Sequence, residues 1–173
     1  MTRGLQPGWP AAAVMLVMLA ASGCGYSLSG NLPSDIKTVA VPIFKNQTQQ
    51  PAVENILTAA VVNAFSNGGR LRVVPLAQAD SVLEGEIVGY TLESIAFDRS
   101  INVREYRLRV TMNVQFRDLR RDTVLWKQDR LEERSDFRVG GQVSETISLE
   151  EGAVRVAAVD IGRKIVALAI DRF

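Results

Sequence analysis

The chain of 173 residues contains no histidine. This removes the commonest general base, the commonest metal ligand and every Ser-His or Cys-His arrangement. There is one cysteine, Cys24, so no internal disulfide can form. No G-x-S-x-G, P-loop, G-x-G-x-x-G or clustered carboxylate motif occurs, and Gly140-Gly141 is a lone pair without a strand–glycine–helix setting. Excess charge is missing too. Arg3 is the only charged residue among the first 23, and the remainder carries as many basic as acidic side chains. That is not the electrostatic footprint of a nucleic-acid-binding protein. The reading is a protein with no catalytic site, cofactor or metal, in which charge acts only locally.

What is present begins at the N-terminus. Arg3 and the free amine precede an apolar run of 11 residues, Ala11–Ala21. A permanent bilayer helix needs about 20 apolar residues, whereas a signal-peptide core is about this length. Ala21-Ser22-Gly23 then leads into Cys24, a pattern that resembles a bacterial lipobox, with Ala21 where leucine is commoner. Residues 1–23 are expected to be a signal peptide and Cys24 to be acylated. Stable anchoring takes about two acyl chains, and a bacterial lipoprotein cysteine carries three. Gly25 stands where an aspartate would favour inner-membrane retention. The expected location is the periplasmic face of the outer membrane.

Residues 24–35 are polar and punctuated by Gly and Pro, as a tether would be. One domain is expected over 36–173, large enough for its own core. Val39, Val41 and Ile43 alternate as in a strand, and Pro42 suggests an edge or an end there. Pro51 suits a first helical turn, and Val53, Ile56, Leu57, Ala60, Val61, Ala64 and Phe65 form one apolar stripe, stopped by Asn67-Gly68-Gly69. Arg70–Pro75 reads as a short strand.

Three longer strands follow, near 82–97, 104–116 and 123–133, separated by Asp98–Asn102 and Asp118–Asp122. In the middle one Tyr106, Leu108, Val110, Met112, Val114 and Phe116 share a face. In the first, Gly85 and Gly89 are expected on one face with Leu83 and Ile87, where missing side chains admit close packing or a bulge. Residues 134–147 read as a long polar connection, and Ser148-x-x-Glu151 as the capping box of a last helix. The expected fold class is α+β: a two-layer sandwich with a mixed, mostly antiparallel sheet of about four strands and two helices on one face.

Cys24-Gly25-Tyr26-x-Leu28-x-Gly30, the run Ile36–Pro42, Phe44-x-Asn46-x-Thr48, Ala79-Asp80-x-x-Leu83-x-Gly85-x-Ile87-x-x-Tyr90 and Glu105-Tyr106-x-Leu108 come in sequence after the lipobox. In that order they resemble the LptE family of lipopolysaccharide-assembly lipoproteins. The resemblance implies a subunit that helps the outer-membrane barrel LptD assemble, sits in it as a plug, and binds lipopolysaccharide. V-A-V-P-x-F also occurs in other envelope lipoproteins, so a peptidoglycan-synthase activator or a secretion-pore lipoprotein is the alternative. Lipopolysaccharide is a phosphate-bearing polyanion, and arginine matches phosphate by paired hydrogen bonds. The resemblance points to Arg99 in a turn and Arg130 on the next strand but one as contacts on one surface. Arg104, Arg120 and Arg121 are further turn-proximal candidates. The competing reading of each is a solvated surface charge.

Overall fold

A computed structural model describes residues 32–171 except Gly69. The signal segment, Cys24 and residues 24–31 of the expected tether lie outside the described residues. The order is β1 (Thr38–Ala40), β2 (Lys45–Asn46), α1 (Val53–Gly68), β3 (Arg72–Val73), a 3-10 turn (Leu76–Gln78), β4 (Ser81–Phe97), β5 (Val103–Asp118), β6 (Thr123–Arg138) and α2 (Val143–Asp171).

The sheet has six strands, not about four. Its order is β3-β1-β4-β5-β6, with β2 also paired to β4. The first segment splits at Pro42, which has no N–H to give to a ladder. β1 ends at Ala40, the chain steps across Pro42, and β2 resumes the pairing with β4. β1 is therefore not an edge strand; Pro42 lies past its end. β1 runs parallel to β3 and β4, and β4-β5-β6 form the expected antiparallel meander.

β5 shows why the sheet forms. Its alternating residues Leu108, Val110, Met112, Val114 and Phe116 are all buried in the core, joined by Val53, Leu57, Val61 and Phe65 of α1 and Ala157, Ala158, Ile161 and Ile165 of α2. Each large apolar side chain so buried contributes about 1.5–3 kcal/mol. The two helices approach closely at Gly162, where an added Cβ would stand 3.0 Å from the Ala60 carbonyl oxygen.

β4 corrects one facial assignment. Ile87 pairs with Met112 and Gly89 with Thr111, so Val88 is an extra residue in a bulge. The bulge turns Gly89 to the outer face, against Thr111, while Gly85 stays inside with Leu83 and Ile87. The ring of Phe44 fills the space over Gly85.

The end of the chain differs more. β6 continues to Arg138 and α2 begins at Val143, so the expected connection of residues 134–147 shrinks to residues 139–142. Phe137 packs inward against Tyr106 at a ring separation of 5.7 Å, which extends the strand. Ser148 is not a cap: its Oγ donates to the Ser144 carbonyl within the helix. The helix start is held by the Gly141 N–H donating to Glu145 Oε2 and the Gly140 N–H donating to Thr146 Oγ1. Pro51 likewise precedes α1, in a turn with Ala52 at φ 63°. Residues 32–35, read as the end of the tether, are attached to the domain, with Leu32 half-buried against the core.

Candidate functional site

The meander is long and narrow. Sixteen-residue strands span about 50 Å at about 3.3 Å per residue. One end is the hairpin tip, residues 98–102 between β4 and β5. The other is the turn end, residues 119–122 between β5 and β6.

At the tip, Asp98 organises the turn. Its Oδ1 accepts the N–H groups of Ser100 (2.8 Å) and Asn102 (2.9 Å), and its Oδ2 accepts the Asn102 side-chain amide (3.1 Å). These bonds, those of Asn102 first, hold its carboxyl below the usual carboxylate range, with help from Arg104 at 3.2 Å. The turn thus presents Arg99 to solvent beside Ile101, which is 81% exposed at φ 63°. Glu105 pairs with Arg138 across β5 and β6, and the Val139 N–H donates to the Arg104 carbonyl. Arg99, Arg104 and Arg138 thus all lie at this end of the sheet.

Arg130 is not there. It sits in a β6 bulge between the Val114–Gln128 and Met112–Leu131 pairs, at φ 53°, its N–H donating to Asn113 Oδ1 (3.0 Å). Ten positions of β5 separate Val103 at the tip from Asn113 beside Arg130, about 33 Å of strand. The expectation that Arg99 and Arg130 share one surface near the tip fails on this register. Arg120 and Arg121 lie at the opposite end, bound to carboxylates: Arg120 to Asp80, Arg121 to Asp118 and Asp35. The sequence reading missed Arg138 because it placed residues 134–147 in a loop; the alternation of Ser135 and Phe137 against Arg134, Asp136 and Arg138 was the available signal.

The outer face of the meander is a checkerboard. Arg107 makes two 2.8 Å bonds to Asp136, Arg109 reaches Glu132 and Glu93, and Arg117 reaches Asp122 and Glu84. Half-exposed pairs of this kind contribute about 0–1 kcal/mol each. Three arginines are thus each held between or against carboxylates.

The inner face is covered unevenly. α1 begins at the level of Tyr90, whose hydroxyl donates to Glu150 Oε1 (2.6 Å). Burial, then the Glu150 carboxylate, pushes the Tyr90 hydroxyl far above its ordinary pKa, so it stays a donor. A cleft of about 490 Å³ opens there, lined by Pro51, Ile56, Tyr90, Ile147, Glu150 and Arg155. Beyond it Leu92, Ile95 and Phe97 of β4 are exposed.

Among the described residues no group of three or more His, Cys, Asp or Glu could hold a metal ion, and no helix is long and apolar enough to cross a membrane.

The fold is similar to several solved structures. A PelC dodecamer from Paraburkholderia phytofirmans is 16% identical, with 82% of this chain and 92% of that chain covered and a TM-score of 0.53. A protein from Xanthomonas campestris is 12% identical, with 79% and 85% covered and a TM-score of 0.55. A minor lipoprotein from Acinetobacter baumannii is 13% identical, with 78% and 90% covered and a TM-score of 0.51. At these identities the likeness is one of fold. No curated protein matches the chain in sequence. Residues 36–168, from the segment entering β1 to the last turn of α2, match the family model described as LptE, lipopolysaccharide-assembly, and the chain belongs to that family.

Proposed function

We propose that the chain is an outer-membrane lipoprotein, anchored through Cys24 on the periplasmic face, that assists assembly of the LptD barrel, sits in it as a plug and binds lipopolysaccharide on its way to the surface. The observation that carries this reading is the family match across almost the whole described domain. An outer face of paired arginines and carboxylates suits a binding and scaffold role. Native pull-down of the full chain from its own cells should recover an outer-membrane barrel at about equal stoichiometry, and depletion should lower surface lipopolysaccharide. Recovery of a peptidoglycan synthase would favour the first alternative. Rings of this chain alone would favour the secretion-pore class, to which the fold likeness to a dodecamer lends interest.

Within this reading the hairpin tip is the polyanion contact. Arg99 carries it, with Arg104 and Arg138 beside it. Arg130 would meet the same ligand only if the ligand extends down β6, and Arg120 and Arg121 have carboxylate partners already. Charge-assisted hydrogen bonds are worth about 1.5–3 kcal/mol, less when exposed. The Arg99→Ala/Arg138→Ala protein should therefore bind lipopolysaccharide about tenfold more weakly at low salt, with an unchanged unfolding midpoint. The difference should shrink as salt screens the contact. Affinity equal to the parent at low salt would return both arginines to the class of solvated charges.

A further inference from the structure

The turn end of the sheet carries three carboxylates and two arginines that the proposed function does not use. Asp35 belongs to the segment entering β1, Asp80 precedes β4, Asp118 ends β5, and Arg120 and Arg121 form the β5–β6 turn. Arg121 donates through Nη2 to Asp35 Oδ2 (2.9 Å) and through Nη1 to Asp118 Oδ2 (2.7 Å). Arg120 pairs with Asp80 Oδ1, and its Nη1 stands 3.7 Å from Asp35 Oδ2. The other oxygen of Asp80 accepts the N–H groups of Lys37 (3.0 Å) and Thr38 (3.1 Å).

The arginines are themselves fixed. Asp118, whose side chain is fully buried, accepts the backbone N–H groups of Arg120 (2.8 Å) and Arg121 (3.1 Å) through Oδ1. Burial alone would raise its carboxyl; the Arg121 guanidinium and these two N–H groups outweigh that and hold it below the ordinary range. Asp80 is lowered as well, first by the Lys37 N–H, then by Thr38 and Arg120 against its own burial. Both carboxylates are thus charged at neutral pH, and the turn is braced by side-chain and backbone bonds.

The entry segment is also held by Ile36, buried in the core, by Leu32 packed against it, and by the Lys37 and Thr38 N–H groups on Asp80; Asp35 adds the direct ion pairs to the β5–β6 turn. β1 has three residues and pairs only with β3 and β4. A strand that short holds weakly by its ladder alone. Asp35 is the residue through which the entry segment reaches across 86 positions of sequence to the β5–β6 turn.

We propose that these five side chains form a lock that fixes the direction in which the chain leaves the domain toward residue 31. The lock places that exit at the turn end, a full strand length from Arg99. Residues 32–38 then move as part of the domain and not as a tether.

Hydrogen–deuterium exchange of the full processed chain tests this. Asp35→Asn takes away the charge that pairs with Arg120 and Arg121 and leaves the Asp118 pair and the Asp80 bonds to Arg120, Lys37 and Thr38 in place. Exchange in a peptide covering residues 32–38 should quicken at least tenfold, with β5 and α2 peptides unchanged. Asp35→Glu, which keeps the charge, should return it to within about threefold of the parent. Unaltered exchange at 32–38 in the Asn variant overturns the lock. So does acceleration throughout the domain, which would make Asp35 a general stabilising residue. Neither result bears on whether a barrel is the partner.

Discussion

Gly85→Val should lower folding stability by about 3 kcal/mol, the upper part of the range for overpacking a filled core. A Cβ at Gly85 would lie 2.6 Å from Cδ1 of Phe44 and 2.9 Å from Cγ and Cε1. The ring cannot swing clear. Phe44 is 3% exposed, and its N–H donates to Thr58 Oγ1 on α1 at 3.1 Å, which pins the backbone. Against a usual total of about 5–15 kcal/mol, this is a large share. Urea unfolding of the parent, Gly85→Val, Phe44→Leu and the double variant gives the cycle. Trimming Phe44 should return about 1–2 kcal/mol of the valine's cost as a coupling term. Strict additivity of the two single losses would mean that the ring is not what valine meets.

Removing Cys24 should have a larger effect still, on location and not on folding. A chain exported behind an ordinary cleaved leader and starting at Gly25 lacks Cys24. One acyl chain gives a membrane partition of about 10⁴ M⁻¹, and further chains multiply it. The native protein should float with phospholipid vesicles, while the Gly25 chain should remain at the bottom of the gradient. Mass spectrometry of the native N-terminus should show Cys24 acylated. Flotation of both chains, or an unmodified Cys24 thiol, would remove the anchor from this residue and with it the argument for the outer membrane.

The strands whose alternation is strong were readable in advance. β5 has a large apolar residue at every second position from Tyr106 to Phe116, and no helix period competes with it. α1 was readable because seven apolar residues share a stripe and glycines close it. The misreadings have separate physical causes. Pro42 stands in a segment of good strand formers, and only tertiary pairing shows that the chain resumes as β2 beyond it. The Val88 bulge adds one residue to β4 and so inverts the faces from Gly89 to Ser94; Gly89 admits a bulge, but nothing in V-G-Y says that one forms there and not at Gly85. The start of α2 was misplaced because Ser148 and Glu151 have the spacing of a capping box, while the actual start uses Gln142, Glu145 and Thr146 around two glycine N–H groups.

These errors reached the candidate site. Ending β6 early put Arg138 in a loop and let Arg130 seem near the tip. The identities of the tip residues Arg99 and Arg104 could be read from the turn chemistry of Asp98 and Asn102. Their company could not, because which arginine lies beside them depends on register across β5 and β6, and two bulges shift that register.

The Arg130 bulge also bears on how two copies of the chain could meet. β6 is the open margin of the sheet, and a straight margin of about 50 Å is a template on which a second strand could stack. At Asp129–Arg130 the pairing skips, the backbone takes φ 53°, and the freed Arg130 N–H is turned inward to Asn113. An incoming strand in register with residues 123–128 would be out of register with 131–138, and charges at Asp129, Arg130, Glu132 and Arg134 would be trapped along the join. The kink thus breaks the continuity of the margin, so that two copies stacked edge to edge would pair over half of its length at most.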